Sequence, residues 1–370
     1  MAKTCFTFED FCDDLGPIKI VHLYEPSCGL RGMVVIDNVA CGPAIGGVRM
    51  VPDVSTREVF RLARAMTLKN AAAGLPHGGG KAGIVADPHT SDKARLIRAF
   101  ARAIRDLVEY IPGPDMGTDE TCMGWMYDEI KRAVGLPRVL GGIPLDEIGA
   151  TGFGLAECAE VGAPACRLSL NGAAVAIEGF GNVGRHAARF LEEKGARLVA
   201  ASDRKGTIYD PAGIPVAALV EAKEASGSVV GYAKGQRLGQ ADIFGLWCDI
   251  LIPAARPDCI HKDNVETIQA KLILQGANIP ATPEAETRLY QRGILTIPDF
   301  IANAGGVICA SVEYHGGNEG QAFQNISQNI RRNTQEVLTR SLNEGIEPRR
   351  AAVELAGERV RHAMSFRGCQ

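Results

Sequence analysis

The 370-residue sequence contains no run of about 20 apolar residues, so nothing in it reads as a membrane-spanning helix. Its start, MAKTCFTFEDFCDD, is acidic where a secretory leader would be basic and then apolar. It also lacks a charge excess: the formal net charge is -3 and the pI near 6.2, which removes the global basic footprint of a nucleic-acid binder. The 7 histidines show no metal-ligand spacing, and the 11 cysteines are scattered without a CxxC pair, so neither a metal site nor a disulfide framework is indicated. Unpaired cysteines in such number point to a reducing cytoplasm. Cys122 and Cys309, although close to the motifs below, read as small core residues rather than nucleophiles. No internal repeat or low-complexity segment is present.

What is there is an ordinary globular composition, 46% apolar and 22% charged, on a chain longer than one hydrophobic core usually serves. The pattern predicts an α/β protein of two domains. Residues 1–147 mix strand-like runs (Lys19 to His22, Met33 to Ile36, Val48 to Val51, Ile84 to Ala86) with helical ones at Arg57 to Gly74 and Ser91 to Tyr110. The Gly- and Pro-rich stretch GLPRVLGGIPLDEIGATGFG reads as a hinge. Residues 148–324 alternate regularly: strands at Ala173 to Glu178, Arg197 to Ser202, Ile250 to Pro253, Leu272 to Gln275 and Ile294 to Ile297, with a helix at Val183 to Lys194, the rhythm of a doubly wound parallel sheet. Residues 325–370 read as a helical segment packing back on the first domain.

Two lysines stand in an unexpected setting. If Arg57 to Gly74 is helical, Leu62, Ala65 and Met66 lie seven, four and three residues before Lys69 and place it on their apolar stripe. Lys81 follows three glycines, which allow close approach of a ligand to backbone N–H groups, and precedes the strand-like Ala82-Gly83-Ile84-Val85. Two buried ammonium groups near each other suggest an anionic ligand and chemistry at the lysines. Further on, Gly179, Gly181 and Gly184 form GxGxxG between a predicted strand and a predicted helix, so Gly179 to Gly184, including Asn182 and Val183, is expected to cradle a pyrophosphate. Asp203 ends the next strand, where a carboxylate can bind the adenosine ribose; it favours NAD, whereas Ser202, Arg204 and Lys205 could hold the extra phosphate of NADP. The balance leans to NAD.

These blocks resemble the glutamate/leucine/phenylalanine/valine dehydrogenases: GPAIGGVRM from Gly42, the two-lysine segment, PDMGTDE from Pro114, ATGFG from Ala150, GFGNVG, QGANIPATPEA from Gln275 and PDFIANAGGV from Pro298. The resemblance spans nearly the whole chain. It implies a substrate and oligomerisation domain, a Rossmann-like domain, a homo-oligomer, and reversible conversion of an L-amino acid to its 2-oxo acid and ammonia with NAD or NADP. It implies that Lys69 holds the substrate α-carboxylate, that Lys81 is the catalytic base and that Asp115 exchanges protons with the amino group. Gly46, Gly47, Asn303 and Val307 are then expected on the substrate side, Asn303 also beside the cofactor, with Thr151, Ala254 and Asn278 near its nicotinamide half. Cys5 and Cys12 are expected toward a subunit interface.

The sequence departs from the glutamate members in the side-chain pocket. Ile45 stands where they carry a lysine before the paired glycines, and Ala310 where they carry a serine. A glutamate side chain would lose both partners, at a cost of several kcal/mol, so an apolar substrate is expected. His77 near the substrate glycines, or Arg49, is the available replacement cation, and the PDMGT block is closer to the glutamate branch. Glutamate dehydrogenation and a non-catalytic nucleotide-binding relative are the alternatives; a binder would have no use for the Lys81 and Asp115 pair.

Overall fold

The computed structural model describes residues 11–367; the expectation for Cys5 lies outside them. The chain divides into two compact units. The first comprises the chain up to Pro144, Cys309–Ala322, and the chain from Glu354; the second comprises Leu145–Ile308 and Phe323–Val353.

In the first unit a five-stranded sheet has the order β1-β2-β4-β3-β5, with β1 Lys19–Glu25, β2 Leu30–Asn38, β3 Ala44–Met50, β4 Gly78–Ile84 and β5 Tyr110–Pro114. β1, β2 and β4 pair antiparallel, while β3 runs parallel to both β4 and β5. Helix α1 (Thr56–Ala72) crosses from β3 to β4, started by Ser55, whose hydroxyl accepts from the Glu58 N–H. Helix α2 (Lys93–Ala103) buries Leu96, Ile97 and Phe100 in the core formed with β2, and α3 (Glu120–Ile130) starts on an Asp119 cap.

The expected strand Ile84 to Ala86 is displaced: β4 begins at Gly78 and takes in all three glycines. Sequence rules treat such a run as a turn, but here the glycines are central because the space a Cβ needs is occupied. At Gly79 it would lie 2.1 Å from the Thr67 nitrogen of α1, and at Gly46 of β3 it would lie 1.6 Å from the Gly80 oxygen. The expected helix Ser91 to Tyr110 likewise stops at Ala103, because Tyr110 opens β5.

The second unit opens with α4 (Leu145–Ile148) and α5 (Ala150–Ala165), so ATGFG begins a buried helix rather than continuing a hinge. The αL conformation of Gly149 and the bare surface of Gly152 let α5 rest directly on His186 of α6 (Asn182–Glu193). The seven-stranded sheet has the order β12-β11-β10-β6-β7-β8-β9, from β6 Ala174–Glu178, β7 Arg197–Asp203, β8 Gly206–Tyr209, β9 Gln236–Leu238, β10 Ile250–Pro253, β11 Leu272–Leu274 and β12 Leu295–Ile297. Strands β6, β7, β10, β11 and β12 are parallel; β8 and β9 add an antiparallel edge. α7 (Val216–Ser226), α8 (Pro283–Gln291) and α9 (Asp299–Ala302) complete the layers.

Three last helices follow: α10 Gly305–Tyr314, α11 Glu319–Glu344 and α12 Pro348–Ser365. The expected limits at 147/148 and 324/325 therefore differ from the compact units, and the C-terminal segment is divided rather than packed as one piece on the first domain. From Phe323, α11 belongs to the second unit: Ser327 and Arg331 bind the Glu157 carboxylate of α5, and Ile330 fills the space above Gly154. In the first unit Arg359 of α12 donates to the carbonyls of Ala71 and Ala72, closing the C-terminal end of α1.

Because the backbone of α1 leaves no room at Gly79, Gly79→Ala is expected to destabilise the chain by about 3 kcal/mol or more. Gly245→Ala, whose added Cβ has no neighbour closer than 3.9 Å, serves as the control and should leave the urea unfolding midpoint nearly unchanged. Equal midpoints for the two variants would contradict this packing.

Candidate active site

In the first unit the parallel trio β4-β3-β5 brings its C-terminal halves together, with Gly47 paired to Gly113 and Val48 to both Ala82 and Pro114. Lys81 points from buried β4, and Asp115 follows the last residue of β5. Their charged groups meet, Nζ to Oδ2, at 2.9 Å. A Cβ on Gly47 would stand 2.7 Å from the Asp115 Cβ and 3.1 Å from the Lys81 Nζ, so the last glycine of GPAIGGVRM is the opening through which they meet.

The turn PDMGT holds the carboxylate in place. The Asp115 N–H donates to the Thr118 hydroxyl at 2.9 Å, that hydroxyl donates to the Val48 carbonyl at 2.8 Å, and Gly117 takes φ +80 where a side chain would strike Met50. Arg49 donates from Nε to Asp115 Oδ2 at 3.2 Å and pairs with Glu58. Burial opposes ionisation of Asp115, but the Lys81 charge, its hydrogen bond and Arg49 outweigh it and hold the carboxyl below its ordinary 3.8. Beneath lies fully buried Tyr110, whose hydroxyl donates to the Gly46 carbonyl at 2.8 Å. Sequence reasoning missed Tyr110 and Thr118 and saw Arg49 only as a spare cation; its place within GGVRM was the one available signal.

Lys69 is half-buried on the last turn of α1, on the predicted face with Leu62, Ala65 and Met66, but that face is not the buried one. The buried face of α1 is Val59, Ala63, Thr67 and Asn70, while Ala65 is exposed and Leu62 and Met66 are only partly covered. The neighbours of Lys69 define its setting: Thr67 packs on Gly79, and the Asn70 amide donates to the Gly78 carbonyl at 2.7 Å.

Ile45 and Ala310 do come together, with Ile111 and Val134, in one buried apolar cluster. The Val134 wall is held by Glu313, a buried carboxylate three residues after Ala310, which accepts the N–H groups of Leu136 at 3.0 Å and Ile143 at 2.8 Å. His77 is 1% exposed; Nδ1 lies 3.2 Å from the Pro43 carbonyl and Nε2 3.1 Å from the Ser311 hydroxyl. A carbonyl can only accept, so Nδ1 carries the proton and Nε2 accepts from Ser311. Burial pushes this imidazole down to about 4. Neither expected replacement cation is therefore free: His77 is neutral near pH 7, and Arg49 is committed to two carboxylates.

In the second unit the strand order reverses beside β6, with β7 on one side and β10 on the other, and the Gly179–Gly184 turn lies at this switch point. Gly179 takes φ +91, and a Cβ on Gly184 would be 2.1 Å from the Gly179 carbonyl. Gly181 has open space before it and caps α6 without a side chain, which leaves helix N–H groups for an anion. Asn182 donates its amide to the Asp146 carbonyl, and Val183 is half-buried in the first turn. Beside them is a cavity of about 440 Å³ lined by Gly181, Asn182, Arg185, Val220 and Lys223 among others. These features fit the pyrophosphate and adenosine half of a dinucleotide.

Asp203 is less open to the ribose than expected. Its Oδ1 accepts from the Ser228 hydroxyl and the Lys205 N–H, both at 2.9 Å, its Oδ2 accepts from the Val229 N–H at 2.7 Å, and Lys223 Nζ is 3.8 Å away. Most of its acceptor capacity anchors the 228–229 turn, and its charge is partly neutralised. Arg204 is exposed. At the other end of the sheet edge Asn303 donates to the Asn278 Oδ1 at 3.1 Å and to the Gly276 carbonyl at 3.3 Å. Ala254 is half-buried after β10, and Thr151 abuts Gly306 on the first turn of α10, where Val307 is half-buried. Cys122 and Cys309 are fully buried, and burial pushes their thiols up to about 11 and about 12, which makes them core residues. The described residues contain no group of His, Cys, Asp and Glu suited to a metal, and none of their helices is long and apolar enough to cross a membrane.

A parallel sheet with a dinucleotide turn at its switch point, together with a buried lysine–aspartate pair, defines a two-unit α/β dehydrogenase. The chain belongs to the glutamate/leucine/phenylalanine/valine dehydrogenase family: residues 20–132 match the family's dimerisation domain and residues 141–368 its second domain. It is 39% identical to a glutamate dehydrogenase of Aeropyrum pernix over 90% of this chain and 85% of that one. Among solved structures, a hetero-hexameric glutamate dehydrogenase of Thermus thermophilus in a leucine-bound form superposes with a TM-score of 0.84 at 31% identity, covering 95% of this chain and 90% of that one. An L-tryptophan dehydrogenase of Nostoc punctiforme superposes at 0.76 and 26% identity, covering 95% and 97%. The reaction class of this chain is accordingly NAD(P)-dependent oxidative deamination of an L-amino acid.

His77 has a pH consequence. Its folded-state value of about 4 lies below the ordinary 6.5, so between these values the unfolded chain takes up a proton that the folded one does not. Stability is therefore lost as pH falls from 6.5 towards 4, by about 2 kcal/mol between pH 7 and pH 5 from this residue. Urea midpoints at the two pH values should show His77→Gln to be less acid-sensitive by that amount; identical sensitivities would refute the buried neutral imidazole.

Proposed function

We propose that the preferred substrate is an L-amino acid with an apolar side chain, deaminated reversibly to its 2-oxo acid and ammonia. The observation that carries this reading is the buried contact of Ile45, Ile111, Val134 and Ala310, which places the two positions lacking the glutamate members' lysine and serine against an apolar wall. The competing reading, glutamate, has the names of the relatives in its favour but would bury a second carboxylate there that neither His77, which is neutral, nor Arg49, which is engaged, is placed to pair.

In this reading Lys69 takes the α-carboxylate and Asp115 accepts a hydrogen bond from the amino group. A carboxyl held ionised by Lys81 and Arg49 suits that acceptor role across the neutral range. Lys81, after releasing its proton to solvent, draws one from the water that attacks the imine carbon, and Asp115 beside it carries a proton to the nitrogen, which leaves as ammonia. A bound NAD or NADP would supply the hydride acceptor; the turn Gly179–Gly184 and the α6 N-terminus would hold its pyrophosphate, and Thr151, Ala254, Asn278 and Asn303 would lie on its nicotinamide side. Because Asp203 is largely occupied within its own unit and Lys223 lies beside it, discrimination against NADP is weak, and the lean to NAD is a slight one. Homo-oligomerisation fits an edge strand, β1, that carries an exposed Tyr24, and a cytoplasmic setting fits the eight cysteines from Cys28 to Cys309, which form no disulfide.

Initial rates with single L-amino acids and either dinucleotide test the substrate. Apolar substrates should exceed L-glutamate in kcat/KM by about a hundredfold or more, and Ile45→Lys combined with Ala310→Ser should narrow that gap. Faster turnover of glutamate than of leucine, valine or phenylalanine by the unmodified protein would overturn the apolar reading. A separate expectation concerns the chemistry: Lys81→Ala should lower kcat by about 10³-fold or more yet bind dinucleotide as before. Near-normal kcat in that variant would remove Lys81 from the mechanism.

A further inference from the structure

Ile279, which follows Asn278 at the C-terminal edge of the second unit's sheet, takes φ +49. The left-handed region is disfavoured for any residue with a Cβ and most of all for a β-branched one. Burial does not hold it there, because its side chain is 44% exposed. Two backbone bonds do: its carbonyl accepts from the Asp258 N–H at 2.9 Å, and its own N–H donates to Asp299 Oδ2 at 2.9 Å.

Asp299 is itself held. Its Oδ1 accepts from Arg349 at 2.9 Å, and Arg349 also donates to Gln275 Oε1 at 2.7 Å and pairs with Glu286. Gln275, fully buried at the end of β11, donates to Glu286 Oε1 at 2.6 Å and accepts the Asp299 N–H at 3.1 Å. One guanidinium thus serves three side chains, one just after β11 and two on α8 and α9, and pairs with the two buried carboxylates, Glu286 and Asp299, each 7% exposed. The planar fork of arginine can do this and the single ammonium of lysine cannot.

We infer that Arg349 is a positioning residue for the nicotinamide-side loop: through Asp299 it keeps Ile279 in a conformation the side chain resists, and so keeps Asn278 and Asn303 in their mutual hydrogen bond. The inference rests on the reading of Asn278 and Asn303 as residues beside the nicotinamide and the substrate. Arg349 lies 70 residues from Ile279 in the chain and in no motif, so only the folded structure connects them. Without its cation, Asp299 would turn away from the Ile279 N–H, and the loop would relax from the left-handed form.

Replacing Ile279 by glycine, for which positive φ carries no penalty, tests this directly. The measurements are kcat, the dinucleotide Kd from tryptophan fluorescence, and Tm, for the unmodified protein, Arg349→Met, Ile279→Gly and the double variant. Arg349→Met should lower kcat about tenfold and also lower Tm. Ile279→Gly should change kcat by less than about threefold. The double variant should recover kcat to within about threefold of Ile279→Gly while Tm stays low, because Glu286 and Asp299 still lack their cation. A tenfold loss from Arg349→Met in both backgrounds, or a kcat that recovers only as Tm recovers, would overturn the inference. Should Arg349→Met fail to fold, Arg349→Lys replaces it with the same pattern expected and the same results against it. If the unmodified protein turns over no L-amino acid, the functional reading fails instead, and the coupling is read in Kd, where additive effects of positions 349 and 279 would overturn it.

Discussion

The ion pair of Lys81 and Asp115 at 2.9 Å is the constraint around which the first unit is built. Taking two charges out of water costs several kcal/mol per ion, and an isolated buried pair returns little of that to stability. The surroundings are arranged so that the pair is affordable and correctly spaced. Gly47 keeps the space between them clear, Thr118 pins the turn that carries Asp115, and Arg49 with Glu58 adds a second pair that leaves the group neutral in sum. Tyr110 then ties β5 to β3 through the Gly46 carbonyl. A stabilising core would have used apolar residues at these positions; a pair kept at this cost is suited to moving protons.

The same demand for bare backbone explains why β4 consists of glycine through its first three residues. β4 is a central strand, bonded to β2 on one side and β3 on the other, and α1 lies directly on it. Strand propensity disfavours glycine, but here the close approach of α1 and β3 excludes every side chain, so packing decides against propensity. Helix α1 benefits in turn, since Thr67 and Asn70 find partners in Asp37 and the Gly78 carbonyl across that short distance.

How far the sequence could be read follows from the range of each interaction. The glycine turn from Gly179 to Gly184 was legible because its requirements are local: positive φ at Gly179, tight packing at Gly184 and an open Gly181 all fall within six residues. Lys81 and Asp115 were recognisable by their blocks, although the 33 residues between them hid the contact. The apolar stripe assigned to Lys69 failed because a 3.6-residue period has several phases, and Thr67 and Asn70, polar in composition, occupy the buried one through hydrogen bonds. ATGFG looked like a hinge because helices rarely begin with such glycines; close packing of α5 on α6 requires them. Asp203 carried the expected residue at the expected place, yet its partners Ser228 and Val229 lie 25 and 26 residues away and could not be foreseen.

Range also bears on how overall likeness and the proposed substrate choice can separate in this chain. Identity of 39% to a glutamate dehydrogenase is spread over 357 aligned residues and is dominated by the demands of fold, dinucleotide and proton transfer. The choice of side chain depends on a few positions in one buried cluster, where a hundredfold preference needs only about 2.7 kcal/mol. A desolvated carboxylate without a partner costs at least that much. The neutral state of His77 strengthens the argument, because the same burial that makes it a well-bonded wall of Pro43 and Ser311 denies it the charge that a second substrate carboxylate would need. A single buried cation at position 45 would reverse the balance, and the free energy involved is too small to be visible in any measure taken over the whole chain.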